Sequence, residues 1–303
     1  MYQLLRATGL ALLIGSCGDA GPRQVNPDLR EVDFLGQTVY VPQHPTRMLA
    51  SNVGALELLL GVASLDRICS IPAEGYEYSV LGDHPERLQN IHQFATFDAE
   101  SVLATDPDLV LASDWQSPET CAAIAAAQVP TLRIPTPATW KELSEILLAL
   151  GRVVGDEPRA RDLNVSLRAR REALHQRSQS RGKVRALVYS NYGAGGTTAG
   201  KGSTWDLIIQ TAGLHNAASE AGLDGHPTLD LEALLSLDPD VLLVSAGPAG
   251  DSTLAELRSL PRLTGLRPLQ SGAIIRLPST LFATSSQHML DAAELLVDQL
   301  EQL

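Results

Sequence analysis

The chain has 303 residues, 44% hydrophobic and 19% charged, with a net charge of -12 at pH 7. That length suits two domains of about 100 to 150 residues each. The acidic balance argues against a nucleic-acid partner, because binding a polyanion needs a clustered basic surface, and the Arg-rich stretch 159–185 is interleaved with acids.

The N-terminus reads as an address. Residues 1–6 are short and positive, 7–15 (ATGLALLIG) form an apolar core too short to span a bilayer, and Ile14-Gly15-Ser16-Cys17 is similar to a bacterial lipobox. On that reading 1–17 is a lipoprotein signal, Cys17 the lipid acceptor, and 18–29 a flexible tether; a plain signal peptide or a buried start is the alternative. Each buried methylene contributes roughly 0.8 kcal/mol, so several acyl chains hold a protein on a membrane durably. The chain is therefore expected to be exported and lipid-anchored on the periplasmic or cell-surface side. Cys69 and Cys121 lie in segments with a buried pattern and are expected as free thiols.

Residues 31–42 alternate around a Leu-Gly-Gln turn, which predicts an entry hairpin. A strand follows at 47–51, then a helix at 51–62 with Leu56, Leu59 and Leu60 on one face and Gly61 as its stop, then a strand at 67–71. Asp98 is the N-cap of a helix closed by Asp106-Pro107, and 109–112 is an apolar run of the kind found in buried parallel strands. A helix at 118–128 and a strand at 131–134 complete this half. Residues 139–178 carry apolar side chains at helical spacing (Leu143, Ile146, Leu147, Leu150, Val153, Val154), with a candidate break at Gly155-Asp156-Glu157-Pro158. The second half repeats the order: strand 184–189, helix 203–211 ending at Gly213, helix 231–236, strand 241–245, strand 273–277 and helix 287–300. The expected fold class is α/β, with two similar lobes of parallel-type sheet, 30–137 and 181–303, joined by a long connecting α-helix within 138–180.

The two halves share a written unit. DAESVLATDPDLVLAS at 98–113 returns as DLEALLSLDPDVLLVS at 230–245, with Asp, Glu, Leu, Asp-Pro-Asp, Leu and Ser in register. The interval far exceeds the roughly 20 to 50 residue period of solenoids, so the duplication is of whole domains.

Motifs for catalysis are weak. The segment 195–204 (GGTTAGKGST) approaches the phosphate-binding pattern GxxxxGK[ST], but Gly202 stands where a magnesium-binding hydroxyl belongs. A nucleotide enzyme is thus a remote alternative, and a Gly-rich strand-to-helix loop that approaches a ligand closely is the simpler reading. There is no GxSxG elbow, and the seven histidines are dispersed without an HxxxH pair, which also disfavours a bare zinc or manganese site. His226, before Pro227 in a Gly-rich loop, is the histidine placed to face a cleft and to act as an axial ligand of a bound chelate. Aromatic residues are only 4% of the chain, yet Tyr76, Tyr78, Phe94, Phe97, Trp115, Tyr192 and Phe282 fall in loops at strand ends, where open α/β sheets bind ligands. A large flat ligand would stack on such rings.

Taken in order, the lipobox, VDFLGQTVYVPQHPTR, SNVGALELLLGV, the first repeat, LGRVVGDEPRARDL, TTAGKGSTWDLIIQTAGLHNA and the second repeat resemble the periplasmic metal-chelate binding proteins. These are the helical-backbone (class III) binding proteins of ABC importers, which take up vitamin B12, ferric siderophores or haem. The resemblance covers the mature chain, and its arrangement is most similar to that of the vitamin B12 binders, particularly at TAGKGS. It implies a non-enzymatic monomer without intrinsic cofactor. Its partners are a metal chelate (cobalamin, haem or a ferric siderophore) held between the lobes, an ABC permease with its ATPase, and the membrane through the lipid anchor. By motif position it implies that Glu100 and Glu232 dock on permease arginines. The ligand residues expected are Tyr76, Tyr78, Phe94, Trp115, Tyr192, Lys201 and His226.

Overall fold

A computed structural model describes residues 28–179, 182–191 and 196–303. Strands β1 (Leu29–Phe34) and β2 (Gln37–Pro42) form an antiparallel hairpin turned by Leu35 and Gly36, both at positive φ (53° and 81°). The first lobe then builds a parallel sheet from β3 (Met48–Ala50), β4 (Ile68–Pro72), β5 (His92–Phe94), β6 (Leu109–Ser113) and β7 (Thr131–Ile134), in the order β5-β4-β3-β6-β7. The second lobe holds β8 (Arg185–Val188), a short antiparallel pair β9 (Ser190–Asn191) and β10 (Gly196–Thr197), then β11 (His215–Asn216), β12 (Val241–Ser245) and β13 (Ile274–Leu277). Its parallel sheet runs β11-β8-β12-β13. Every residue of β6 and all but the last of β12 are buried, as strands covered on both faces require.

One expectation is corrected, and the candidate break in the connector is present. The helix Val53–Val62 runs through Gly61 instead of stopping there. Gly61 serves packing: a Cβ on it would stand 2.9 Å from Leu163 Cδ2 of a crossing helix. The connecting region is two helices, Trp140–Val154 and Glu157–Ser178, reversed at left-handed Gly155 (φ 76°). The first has a Thr139/Glu142 capping box and buries Leu143, Ile146, Leu147, Leu150, Val153 and Val154, so it packs as part of the first lobe. The second is the bridge. Its Arg159 donates to the Leu60 and Gly61 carbonyls, Arg170 pairs with Asp291 and Glu294 of the C-terminal helix Met289–Leu300, and Arg177 pairs with Asp298 of that helix (2.7 Å) and with Glu301 at its C-cap (2.9 Å).

The repeated unit folds the same way twice. Asp98 and Asp230 each accept the backbone N–H three residues on, both at 2.8 Å. Asp106 and Asp238 both take left-handed φ (48° and 37°), and the Asp108 and Asp240 N–H groups both donate to the residue before the neighbouring strand or at its start, Arg47 and Arg185. Those two arginines then reach over the end of the repeated helix. Arg47 donates to the Thr105 and Asp106 carbonyls (2.5 and 2.7 Å), Arg185 to those of Leu237 and Asp238 (2.8 and 3.2 Å). Carbonyls at a helix C-terminus have no partner within the helix, and the arginine supplies one.

The lobes also meet directly. Glu57 is 0% exposed; its carboxyl accepts from the Val80 N–H (3.1 Å) and from the second-lobe hydroxyls of Thr284 (3.2 Å) and Ser286 (2.7 Å). Gln287 Nε2 donates to the Glu57 carbonyl at 2.8 Å. Beside this contact, His288 Nδ1 lies 2.5 Å from Asp291, which also pairs with Arg170 of the bridge. Burial opposes charge on His288, as does Arg170, but the Asp291 hydrogen bond and the Glu57 and Asp291 charges outweigh them and hold its pKa above the ordinary value. Burial works against charge on Asp291 too, yet its bonds to His288 and Arg170 keep it below the usual range.

Replacing Arg185 by Met should cost about 1 to 3 kcal/mol in urea unfolding, because two carbonyls lose their donor. Lys at this position should recover only part of that, lacking the fork. For His288, a raised folded pKa contributes stability that is complete below about 6.5 and fades as pH climbs through the raised value. The melting-temperature advantage of the wild type over His288→Gln should thus be largest near about pH 5.5 and shrink toward about pH 9. A gap that grows with pH would contradict this assignment.

Candidate functional site

The carboxyl ends of both parallel sheets face one another across a cavity of about 670 Å³. In the first lobe, Asn52 follows β3, Glu74 and Tyr78 follow β4, Trp115 follows β6 and Thr136 follows β7. In the second, Ser190 follows β8, Thr197 and Thr198 lie at β10, and Phe282 follows β13. This is the crevice position that open α/β sheets reserve for ligands.

Local structure explains each wall. Trp115 sits on the short loop between β6 and the helix Pro118–Ala126, and is 65% exposed. That is unusual for the largest apolar side chain and leaves its ring free to stack on a guest. Opposite it, Trp205 and Phe282 pack at 5.1 Å between centroids and 54° between planes, and Trp205 Nε1 donates to the Phe282 carbonyl (3.0 Å). Trp205 is itself buried and forms a fixed floor. His226 is exposed on the cavity wall, on a loop clipped at both sides: the Gly200 N–H donates to the Gly225 carbonyl (2.8 Å) and the Thr198 N–H to the Pro227 carbonyl (3.1 Å). Glu74 and His226 are the titratable side chains on the wall apart from Tyr78, and neither lysine nor arginine lines it among the described residues.

Of the residues expected from sequence, Tyr78, Trp115 and His226 are brought together here. Tyr76, Phe94 and Lys201 are not among the lining residues. Tyr76 packs against the first-lobe core, on a helix of one turn that turns its neighbour Tyr78 to the cavity instead. Phe94 is 5% exposed and packs with Phe97 in a separate small cluster with Leu49, Val102, Val110 and Ile124. Lys201 is exposed, its backbone bridged to Leu223 and Gly225. Tyr192 and Cys17 lie outside the described residues. Cys69 is half-buried, Cys121 is buried and both are free thiols; burial pushes both thiol pKa values up.

The Gly-rich loop serves the second lobe more than a guest. A Cβ on Gly200 would stand 2.0 Å from the Leu223 carbonyl oxygen, and one on Gly196 would stand 2.2 Å from the Tyr189 hydroxyl oxygen. The start of the following helix Thr204–Thr211 is already occupied by an acid from its own first turn. Asp206, 6% exposed, accepts from the Gly202 N–H (3.3 Å), Asn216 Nδ2 (3.0 Å) and the Ser219 hydroxyl (2.6 Å). A phosphate placed there would meet that carboxylate, which removes the nucleotide reading on physical grounds. Sequence reasoning passed over Trp205, Asn52, Glu74 and Thr136. Their common signal was position, immediately after a predicted strand or Gly-rich loop.

Glu100 and Glu232 stand at the second helical position of the helices Ala99–Leu103 and Leu231–Leu237. Both are exposed.

A family model described as "Periplasmic binding protein" matches residues 52–281. A "Cobalamin-binding protein" of Halobacterium salinarum is 24% identical over 221 residues, 70% of this chain; the match spans 57% of the length of that curated relative. Among solved structures, a periplasmic heme-binding protein from Roseiflexus superposes with TM-score 0.71 at 21% identity, covering 83% of this chain and 98% of that one. An ABC-type Fe3+-hydroxamate transport protein from Saccharomonospora viridis gives 0.74 at 20% identity, covering 90% and 99%. The molybdate-bound periplasmic binding protein of Haemophilus influenzae gives 0.76 at 18% identity, covering 90% and 91%. At these identities the structures speak for the two-lobed fold alone, and the extent of the family match carries the classification. With residues 52–281 matched, the chain belongs to the periplasmic binding proteins, which bind ligands and are not enzymes.

Proposed function

We propose that the chain is the substrate-binding lipoprotein of an ABC importer, and that it captures a metal chelate, a cobalamin or related corrinoid, between its lobes for delivery to the permease. The observation that carries the choice of ligand is the wall of the cavity: aromatic on two sides, with Glu74 and His226 but no lysine or arginine among the described residues. Haem carboxylates, molybdate and acidic siderophores all need cationic partners when desolvated. A corrinoid whose amide-bearing ring has no carboxylates does not. Thr136, Ser190, Thr197 and Thr198 supply hydroxyls for such amides, and His226 offers an imidazole nitrogen toward a central metal. The 24% match to a cobalamin-binding protein supports the same ligand.

Delivery follows from the repeat. Glu100 and Glu232 are presented by equivalent helices on the two lobes, and no hydrogen-bond or ion-pair partner holds either carboxylate among the described residues. Such free rim charges govern orientation and encounter with a basic partner surface. The lipobox-like run supports export and a lipid on Cys17, and among the described residues no helix is long and apolar enough to cross a membrane.

Parallel titrations with cyanocobalamin, haemin, a ferric hydroxamate and molybdate should show cyanocobalamin binding tighter than about 10 µM, roughly 7 kcal/mol, and at least about tenfold tighter than the others. Tighter binding of haemin or molybdate would overturn the corrinoid reading. In a cell that depends on this importer, Glu100→Ala with Glu232→Ala should abolish uptake while ligand affinity stays within about twofold. Undiminished uptake would remove the docking role.

A further inference from the structure

On the far side of the bridging helix, between it and the helix Trp140–Val154, lies a second cavity of about 400 Å³. Its wall includes Trp140, Lys141, Ser144, Glu145, Arg168 and Arg171. The bridging helix carries six arginines, and four of them are engaged: Arg159 with two carbonyls, Arg161 with Glu157, Arg170 with Asp291 and Glu294, and Arg177 with Asp298 and Glu301. Arg168 and Arg171 are the two that have no hydrogen-bond or ion-pair partner among the described residues, and both face this cavity.

Their placement opposes ordinary electrostatics. One helical turn apart, they repel, and burial together with that repulsion pulls the Arg171 pKa down. Glu145, the acid on the cavity wall, lies 3.7 Å from Lys141, and Glu172, next to Arg171 in the chain, accepts from Gln176 Nε2 (3.0 Å). Arg171 is held from above instead. Its guanidinium carbon stands 4.8 Å from the centroid of the Trp140 ring, and Trp140 is pinned by its Nε1 bond to Thr211 Oγ1 (2.8 Å). Stacking occupies the face of a guanidinium and leaves its in-plane N–H donors available.

We infer that this cavity is a second binding site, for a phosphate group, with Arg168 and Arg171 as its clamp and Lys141 at its rim. Two guanidiniums match the several charged oxygens of a phosphate group better than a single ammonium would. The group can arrive as free phosphate or as the phosphodiester of an anionic lipid headgroup; the charged, non-bridging phosphate oxygens are common to both. The site is independent of the interlobe cavity and shares no lining residue with it.

Calorimetric titration of the full chain with inorganic phosphate, at about 0.05 M ionic strength to limit screening, tests the free source. Co-sedimentation with phosphatidylglycerol vesicles, against phosphatidylcholine vesicles, tests the lipid source. Saturable binding in either arm should weaken at least about tenfold in Arg168→Gln with Arg171→Gln, and about threefold or more in Arg168→Gln alone, whose exposed side chain leaves folding intact. Arg161→Gln, on the same helix, should change nothing. Phosphate binding assigns the free source, and vesicle binding without it assigns the headgroup. Absence of both, or binding that survives the double substitution, overturns the site.

Discussion

The arrangement of the molecule depends on a polar contact buried where its halves meet. Glu57 belongs to the first helix of the first lobe, yet half of its hydrogen-bonding capacity is met by Thr284 and Ser286 of the second. A buried carboxyl without those donors is costly, so separation of the lobes at this point is opposed by more than lost apolar area. Gly54 lets the contact close: a Cβ there would stand 2.2 Å from Ser285 Oγ. The same loop, 283–285, also lines the cavity, so the junction that fixes the lobes also shapes the site.

The bridging helix extends that constraint. One hydrophobic core runs from the entry hairpin through Leu56, Leu150 and Leu167 to Ile208 and Leu296 without a break between lobes. Closely packed interiors deform little, so opening is expected to be a small rotation about the Glu57 junction rather than a wide swing. A rigid spine of this kind also keeps Glu100 and Glu232 at a set separation, as the proposed docking on a basic partner surface requires.

Much of the fold was legible because its signals are local. Asp98 and Asp230 announced helix starts, the apolar runs at Leu109 and Val241 announced covered parallel strands, and the repeat announced two lobes. The misreadings are those of residues whose role is set from elsewhere in the chain. Gly61 looked like a helix stop because nothing in its own segment shows Leu163 packing on it. The connector, by contrast, carried its own signal: Gly155-Asp156-Glu157-Pro158 marked the place where left-handed Gly155 separates its two helices. At the interlobe cavity, Tyr78 and Trp115, both placed after strands, stand on the wall, while Phe94, in the same kind of place, is buried against Phe97. Sequence gives the end of a strand; which of two adjacent rings faces inward is decided by the layer beneath.

The proposed ligand, a metal chelate without carboxylates, is matched to an aromatic cavity that has no lysine or arginine on its wall among the described residues and lies between two nearly fixed lobes. A crystal structure grown with cyanocobalamin tests it most directly. The corrin ring is expected between Trp115 on one side and the Trp205–Phe282 pair on the other, within reach of His226, with the Glu57–Ser286 hydrogen bond intact. A ligand bound outside this cavity, or a complex in which that hydrogen bond is broken, would contradict it.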